Sequence, residues 1–147
     1  MPLVRISLRR GKPAAYRRAI ADGVHRALID AIGIPADDRF QVISEHDADG
    51  LIYDANYLGI ARTDDVVFVQ IALRRGRTDD MKRALYRRIA ANLGNDPGLR
   101  AQDVLIALVE NDLADWSFGA GEAQYLARPA DDSVVTSMKR QAVSAPA

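Results

Sequence analysis

The strongest constraint on the fold is that the chain contains the same pattern twice. A constant shift of 65 residues carries Val4, Ile6 and Leu8 onto Val69, Ile71 and Leu73. The same shift carries Arg9-Arg10-Gly11-Lys12 onto Arg74-Arg75-Gly76-Arg77, Asp38 onto Asp103 and Glu45 onto Glu110, with no gap. A chain of this kind is built from one supersecondary unit used twice.

Each copy predicts a strand, a helix and a second strand. Val4, Ile6 and Leu8 alternate with Arg5, Ser7 and Arg9, the period of a half-buried strand. After a Gly-containing turn, Pro13 suits a first helical position. Ile20, Val24, Leu28 and Ile32 then form one apolar stripe of a helix ending at Gly33. A second strand is expected over 39–45, with Phe40 and Val42 on one face. In the other copy, Val67–Leu73 is a strand and Thr78 is an N-cap with Asp79 and Asp80 in the first turn. The helix is expected to stop at Gly94, and Val104–Glu110 is the closing strand.

Two βαβ units with right-handed crossovers give an α+β fold, a four-stranded mixed sheet with both helices on one face. The strand Val104–Glu110 is apolar on both of its faces, so the sheet face without helices is expected to be buried by another subunit. The domain is expected to span 1–126, with pseudo-repeats 2–46 and 67–111. The stretch 46–65 between them reads as a hairpin or an ordered loop. Residues 127–147, rich in Ala, Ser, Asp and Pro, read as a flexible tail or an arm lying on a neighbour.

Composition removes several function classes. Twenty basic and twenty acidic residues cancel, which argues against a partner held by its phosphates. The chain has no cysteine, excluding disulfides, thiolate zinc sites and cysteine nucleophiles, and His25 and His46 alone cannot form a metal cluster. No apolar run approaches the roughly 20 residues that span a bilayer, and no signal-peptide layout opens the chain. A cytoplasmic protein is expected, with no nucleic-acid or membrane partner.

Four places are candidates for chemistry. Removal of Met1 would leave Pro2 as a secondary amine fixed at the start of a buried strand, where its charge state is tunable. Its repeat partner, Val67, is internal, so this chemistry belongs to one half only. Arg74, Arg75 and Arg77 lie where a strand ends and a helix begins, a usual ligand position, and guanidinium groups there suit a carboxylate or a carbonyl. Asp38, just before a strand, suits a turn or the ordering of a water. Trp116 and Phe118 suit a small pocket wall or simple packing. His25, at the edge of the first helical stripe, reads as a packing residue. Gly119-Ala120-Gly121 lacks the third glycine and the strand context of a phosphate loop.

These pieces together resemble the tautomerase superfamily. The resemblance rests on Met1-Pro2-Leu3-Val4, the two βαβ halves, the arginine cluster, and Glu110-Asn111 followed by Asp115-Trp116-Ser117-Phe118-Gly119. It covers about Pro2 to Tyr125 and is similar above all to the malonate semialdehyde decarboxylase branch. The resemblance implies a homotrimer that uses no cofactor or metal and acts on small oxo acids, with Pro2 as the catalytic amine. In the decarboxylase branch an arginine pair matches Arg75 and Arg77, an aspartate matches Asp38, and an aromatic wall matches Trp116 and Phe118. In the sister cis-3-chloroacrylic acid dehalogenases the pair is spaced as Arg74 and Arg77, and a histidine matches His25. That branch also uses a tyrosine and a glutamate with no clear counterpart here.

The expected activity is decarboxylation of a malonate semialdehyde-type acid. The alternatives are a phenylpyruvate- or 2-hydroxymuconate-type tautomerase, a cis-3-chloroacrylate-type hydratase or dehalogenase, and a non-enzymatic small-molecule binding oligomer.

Overall fold

A computed structural model describes residues 1–126. The order is β1 (Pro2–Arg9), α1 (Ala14–Ile32), β2 (Phe40–His46), β3 (Val67–Arg74), α2 (Asp79–Asn95) and β4 (Val104–Asn111). The chain divides into two compact units, Met1–Asn111 and a second that begins at Asp112. The expected tail, 127–147, lies outside the described residues.

The sheet order is β2-β1-β3-β4. β1 pairs parallel with β2, and β3 parallel with β4. The two halves join through antiparallel β1 and β3, with Pro2 opposite Leu73 and Leu8 opposite Val67. The α+β architecture expected from the repeat is therefore the one present.

Alternation sets which strand residues meet the helices. Val4, Ile6 and Leu8 of β1 and Val67, Val69, Ile71 and Leu73 of β3 are buried beneath Ile20, Val24 and Leu28 of α1 and Leu85, Ile89 and Leu93 of α2. Each such side chain contributes about 1.5–3 kcal/mol by leaving water. The helices approach closely at Gly23, where an added Cβ would lie 2.8 Å from Leu93 Cδ2. Asn92 locks that crossing by donating to the Gly23 carbonyl at 2.9 Å.

The element ends differ in detail from the sequence expectation. Pro13 is the N-cap of α1, in an extended conformation, and not its first helical residue. Its carbonyl accepts from Tyr16 and Arg17. Gly94 stays helical and α2 continues to Asn95. The stop comes from Pro97, which disfavours helix in the residue before it. The amides of Gly98 and Leu99 both fold back onto the Leu93 carbonyl. Thr78 caps α2 as expected, its hydroxyl accepting from the Met81 amide at 3.2 Å. Gly11 and Gly76, repeat partners in the turns after β1 and β3, have φ of 123° and 111°. Glycine alone takes that conformation without strain, so the same turn is encoded twice.

Between β2 and β3 there is no hairpin. The segment is an ordered loop with one 3₁₀ turn at Tyr57–Gly59. The Arg62 guanidinium gathers it by donating to the carbonyls of Asp54, Tyr57 and Ile60.

The sheet face away from the helices carries no helix among the described residues. It is apolar at its edges, where Phe40 and Val42 on β2 and Leu105 and Val109 on β4 are 40–48% exposed. Its central strands present Arg5, Ser7 and Gln70 interleaved with Leu3, Phe68 and Ala72. The expected apolar face is thus mixed at its centre and apolar at its margins. Among the described residues, no helix is long and apolar enough to cross a membrane.

Candidate active site

Antiparallel pairing of β1 with β3 decides what gathers at each end of the sheet. Where β1 starts, β3 and β4 finish, so Pro2 lies opposite Leu73, and Leu73 beside Glu110. β2 starts at the same end, with Phe40 beside Leu3. One end of the sheet therefore collects Pro2, the turn before β2 and the arginine turn after β3, residues spread over more than seventy positions in sequence.

Asp38 meets the chain terminus. Its carboxylate lies 2.5 Å from the Met1 ammonium, both side chains largely shielded from water. The Pro2 nitrogen is the next backbone nitrogen along the chain. The turn that carries Asp38 is held by its own backbone, the Asp38 amide donating to the Pro35 carbonyl at 3.1 Å. His25 braces the same turn from below. It is 8% exposed, and Nε2 lies 2.9 Å from the Ala36 carbonyl. A carbonyl only accepts, so Nε2 carries the proton. His25 is thus a buried, satisfied side chain beside the Asp38 turn, in keeping with its reading as a packing residue.

The arginine turn is anchored at both ends. The Arg75 amide donates to the Asn111 carbonyl at 2.8 Å, and Arg77 Nη1 donates to the Arg74 carbonyl at 2.9 Å. Burial, and then the neighbouring Arg74, pull the Arg77 guanidinium below its ordinary range, with Glu110 opposing them. Among the described residues neither Arg74 nor Arg77 forms an ion pair with a carboxylate. Arginines held near each other without such a pair form a receptor for an anion.

Lys82, and its pairing with Glu110, is the feature that motif reading missed. Lys82 reaches from α2 to pair with Glu110 at the end of β4. The Lys82 hydrogen bond, its charge, and then Arg75 and Arg77 hold the Glu110 carboxyl below the usual carboxylate range. The signal was present in the repeat, because Arg17 pairs with Glu45 in the first half at the equivalent positions.

Trp116 and Phe118 belong to the second unit, where their rings stack at 5.5 Å with an interplanar angle of 6°. Tyr125 meets Phe118 edge-on at 5.2 Å. Gln124 closes this loop, accepting from the Phe118 amide and donating to the Gly119 carbonyl, both at 2.8 Å. Among the described residues, no three acidic or histidine side chains are gathered as metal ligands.

Known proteins resemble this chain over most of its length. Two family models described as "Tautomerase enzyme" match residues 38–119 and 2–60. The chain is 39% identical over 126 residues to the probable tautomerase YusQ of Bacillus subtilis strain 168, covering 86% of this chain and 99% of that protein. This chain belongs to the tautomerase family. Among solved structures, a malonate semialdehyde decarboxylase is 36% identical with a TM-score of 0.79, covering 84% of this chain and 95% of that one. The FG41 malonate semialdehyde decarboxylase inhibited by 3-bromopropiolate is 41% identical with a TM-score of 0.80, covering 86% and 99%. A fused 4-OT symmetric trimer, 24% identical with a TM-score of 0.69, shares the fold. The chain is therefore an enzyme of this superfamily, and the reading as a non-enzymatic binding oligomer falls.

Proposed function

We propose that this tautomerase-family enzyme decarboxylates a small 3-oxo acid of the malonate semialdehyde type, with the Pro2 amine as its acid. The observation that carries the reading is the Asp38 carboxylate, 2.5 Å from the chain-terminal ammonium, at the sheet end that also holds the arginine turn. Removal of Met1 makes the terminal amine that of Pro2. An anionic neighbour favours the protonated amine, which donates protons and stabilises negative charge, and a base-catalysed tautomerase needs the opposite state.

In this mechanism Arg75 and Arg77, with Arg74 beside them, hold the substrate. The C–C bond to the carboxylate breaks, CO₂ departs, and the electron pair delocalises into the neighbouring carbonyl as an enolate. Cations at the enolate oxygen lower that barrier; loss of one such donor typically costs about 10²–10³ in rate. The Pro2 ammonium then delivers its proton to the enolate carbon, and solvent restores it. Asp38 supplies the negative charge that faces the amine. The similarity to malonate semialdehyde decarboxylases at 36% and 41% identity supports this choice of substrate. A homotrimer is proposed with it, since Val42, Leu105 and Val109 are exposed on the sheet face away from the helices, and fused 4-OT structures of this fold are trimers.

A second reading, enol–keto tautomerisation, is favoured by the relatives named probable tautomerases at 39% and 35% identity. Malonate semialdehyde, phenylenolpyruvate and 2-hydroxymuconate assayed side by side separate the two. Decarboxylation is expected to have the highest kcat/KM. Strong tautomerisation with no CO₂ release selects the second reading.

A further inference from the structure

We infer that the first half of the chain carries a second carboxylate-binding site, which Asp64 and Asp65 keep occupied from within. The inference rests on the reading of Arg74, Arg75 and Arg77 as carboxylate holders. Their repeat partners Arg9, Arg10 and Lys12 line a cavity of about 260 Å³ at the opposite end of the sheet, together with Tyr16, Asp64 and Asp65. That volume suits a small organic acid. The two basic turns differ in their carboxylate partners. In the second half, Arg74 and Arg77 have no carboxylate ion pair among the described residues. In the first half, Arg9 Nη1 lies 2.7 Å from Asp64 Oδ1 and Lys12 Nζ lies 2.9 Å from Asp65 Oδ1. Arg10 Nε lies 3.0 Å from Asp47 Oδ1, and Glu45 stands 3.8 Å from Arg10 while bonding Arg17. Tyr53 fixes Asp64 by donating its hydroxyl at 2.6 Å.

The two aspartates hold the place by tethering. Their carboxyl side chains are 73% and 53% exposed, so each ion pair is screened and weak. A group on a short tether nevertheless acts at an effective concentration in the millimolar range, enough to exclude a free metabolite of millimolar affinity. The pocket also keeps unused capacity, for Arg9 Nε is buried and has no hydrogen-bond partner. Asp65 holds the Lys12 ammonium above its ordinary range, first through its hydrogen bond. Val66 and Val67 stand here where Met1 and Pro2 stand in the other half, and the Val67 nitrogen is an amide. A ligand in this pocket would therefore be bound and not turned over.

Asp64→Asn/Asp65→Asn keeps the shape and the hydrogen bonds and removes both charges. With malonate as probe, calorimetry is expected to count one site per chain in the parent and two in the double variant, with crystals of the variant showing malonate on Arg9 and Lys12. Adding Lys12→Gln to the variant is expected to weaken the new site by about 10–100-fold. Asp65→Asn alone, which leaves the Tyr53–Asp64 bond, serves if the double variant melts early. A folded variant that gains no second malonate, or a parent that already binds two, overturns the inference. Arg75→Ala/Arg77→Ala separates the underlying reading: if the parent's single malonate survives that change, the active-site assignment fails, while gain of a further site in the Asp64/Asp65 variant still decides this one.

Discussion

Asp38 and Asp103 occupy repeat-equivalent positions at opposite ends of the sheet and receive different donors. Asp38 takes the chain-terminal ammonium at 2.5 Å. Asp103, fully buried, takes the amide and hydroxyl of Thr63 at 2.7 and 2.8 Å. One aspartate faces an ionisable amine, and the other secures a loop. The duplication built two similar ends, and chain connectivity made them unlike.

Replacing Pro2 by Ala is expected to lower kcat/KM for malonate semialdehyde by about 10²–10⁴-fold, the usual worth of a positioned acid or base. Circular dichroism should be unchanged, because Pro2 begins an edge of pairing and Val4, Ile6 and Leu8 carry the β1 core. Mass spectrometry of the parent is expected to show Met1 removed. Activity of the variant equal to that of the parent removes Pro2 from the mechanism.

Asp38→Asn keeps a hydrogen-bonding side chain but removes the charge beside the amine. Decarboxylation is expected to fall more than any tautomerase activity, since only the former uses the protonated amine. The ratio of the two kcat/KM values is the readout, and equal losses would return Asp38 to the structural role of Asp103.

Lys82→Gln should release Glu110. The Lys82 hydrogen bond is the largest influence holding that carboxyl down, so its titration, followed by NMR, is expected to move up towards the ordinary value of 4.5. The sign for stability follows. A carboxyl depressed in the folded state contributes stability above its unfolded pKa and loses it as pH falls through the folded one. The parent's advantage over the variant should therefore be present above about pH 4.5 and fade below it.

Gly23→Ala tests the helix crossing. Alanine gains about 1 kcal/mol in helix propensity, but its Cβ would lie 2.8 Å from a Leu93 side chain that is fully buried. Overpacking costs about 1–3 kcal/mol. Urea melts are expected to show net destabilisation of roughly 1 kcal/mol.

Val42→Glu or Val109→Glu places a charge on the apolar margins of the sheet face away from the helices. Light scattering is expected to give a trimer for the parent and smaller species for the variants, with far-UV dichroism kept. A stable parent monomer at micromolar concentration contradicts the proposed assembly.

The sequence by itself determined the repeating unit, because its signals are local. Strand alternation in Val4–Leu8 and Val69–Leu73, the four-residue stripe from Ile20 to Ile32, the Thr78 cap and the paired turn glycines each act within a few residues. Side-chain period, cap chemistry and backbone freedom then fix the elements. It also named Pro2, Asp38 and the Arg74–Arg77 turn as separate candidates. Tertiary structure alone decided that these lie at one end of the sheet. The antiparallel β1–β3 junction sets Pro2 opposite Leu73, and no local pattern encodes which strands of two identical units become neighbours. The same applies to the ion pairs. Glu110 finds Lys82, and Arg9 and Lys12 find Asp64 and Asp65, across 28 and more than 50 residues. A charge in sequence has no partner until packing brings one within a few ångströms, so the pairing of Arg9 and Lys12 with Asp64 and Asp65 belongs to the fold.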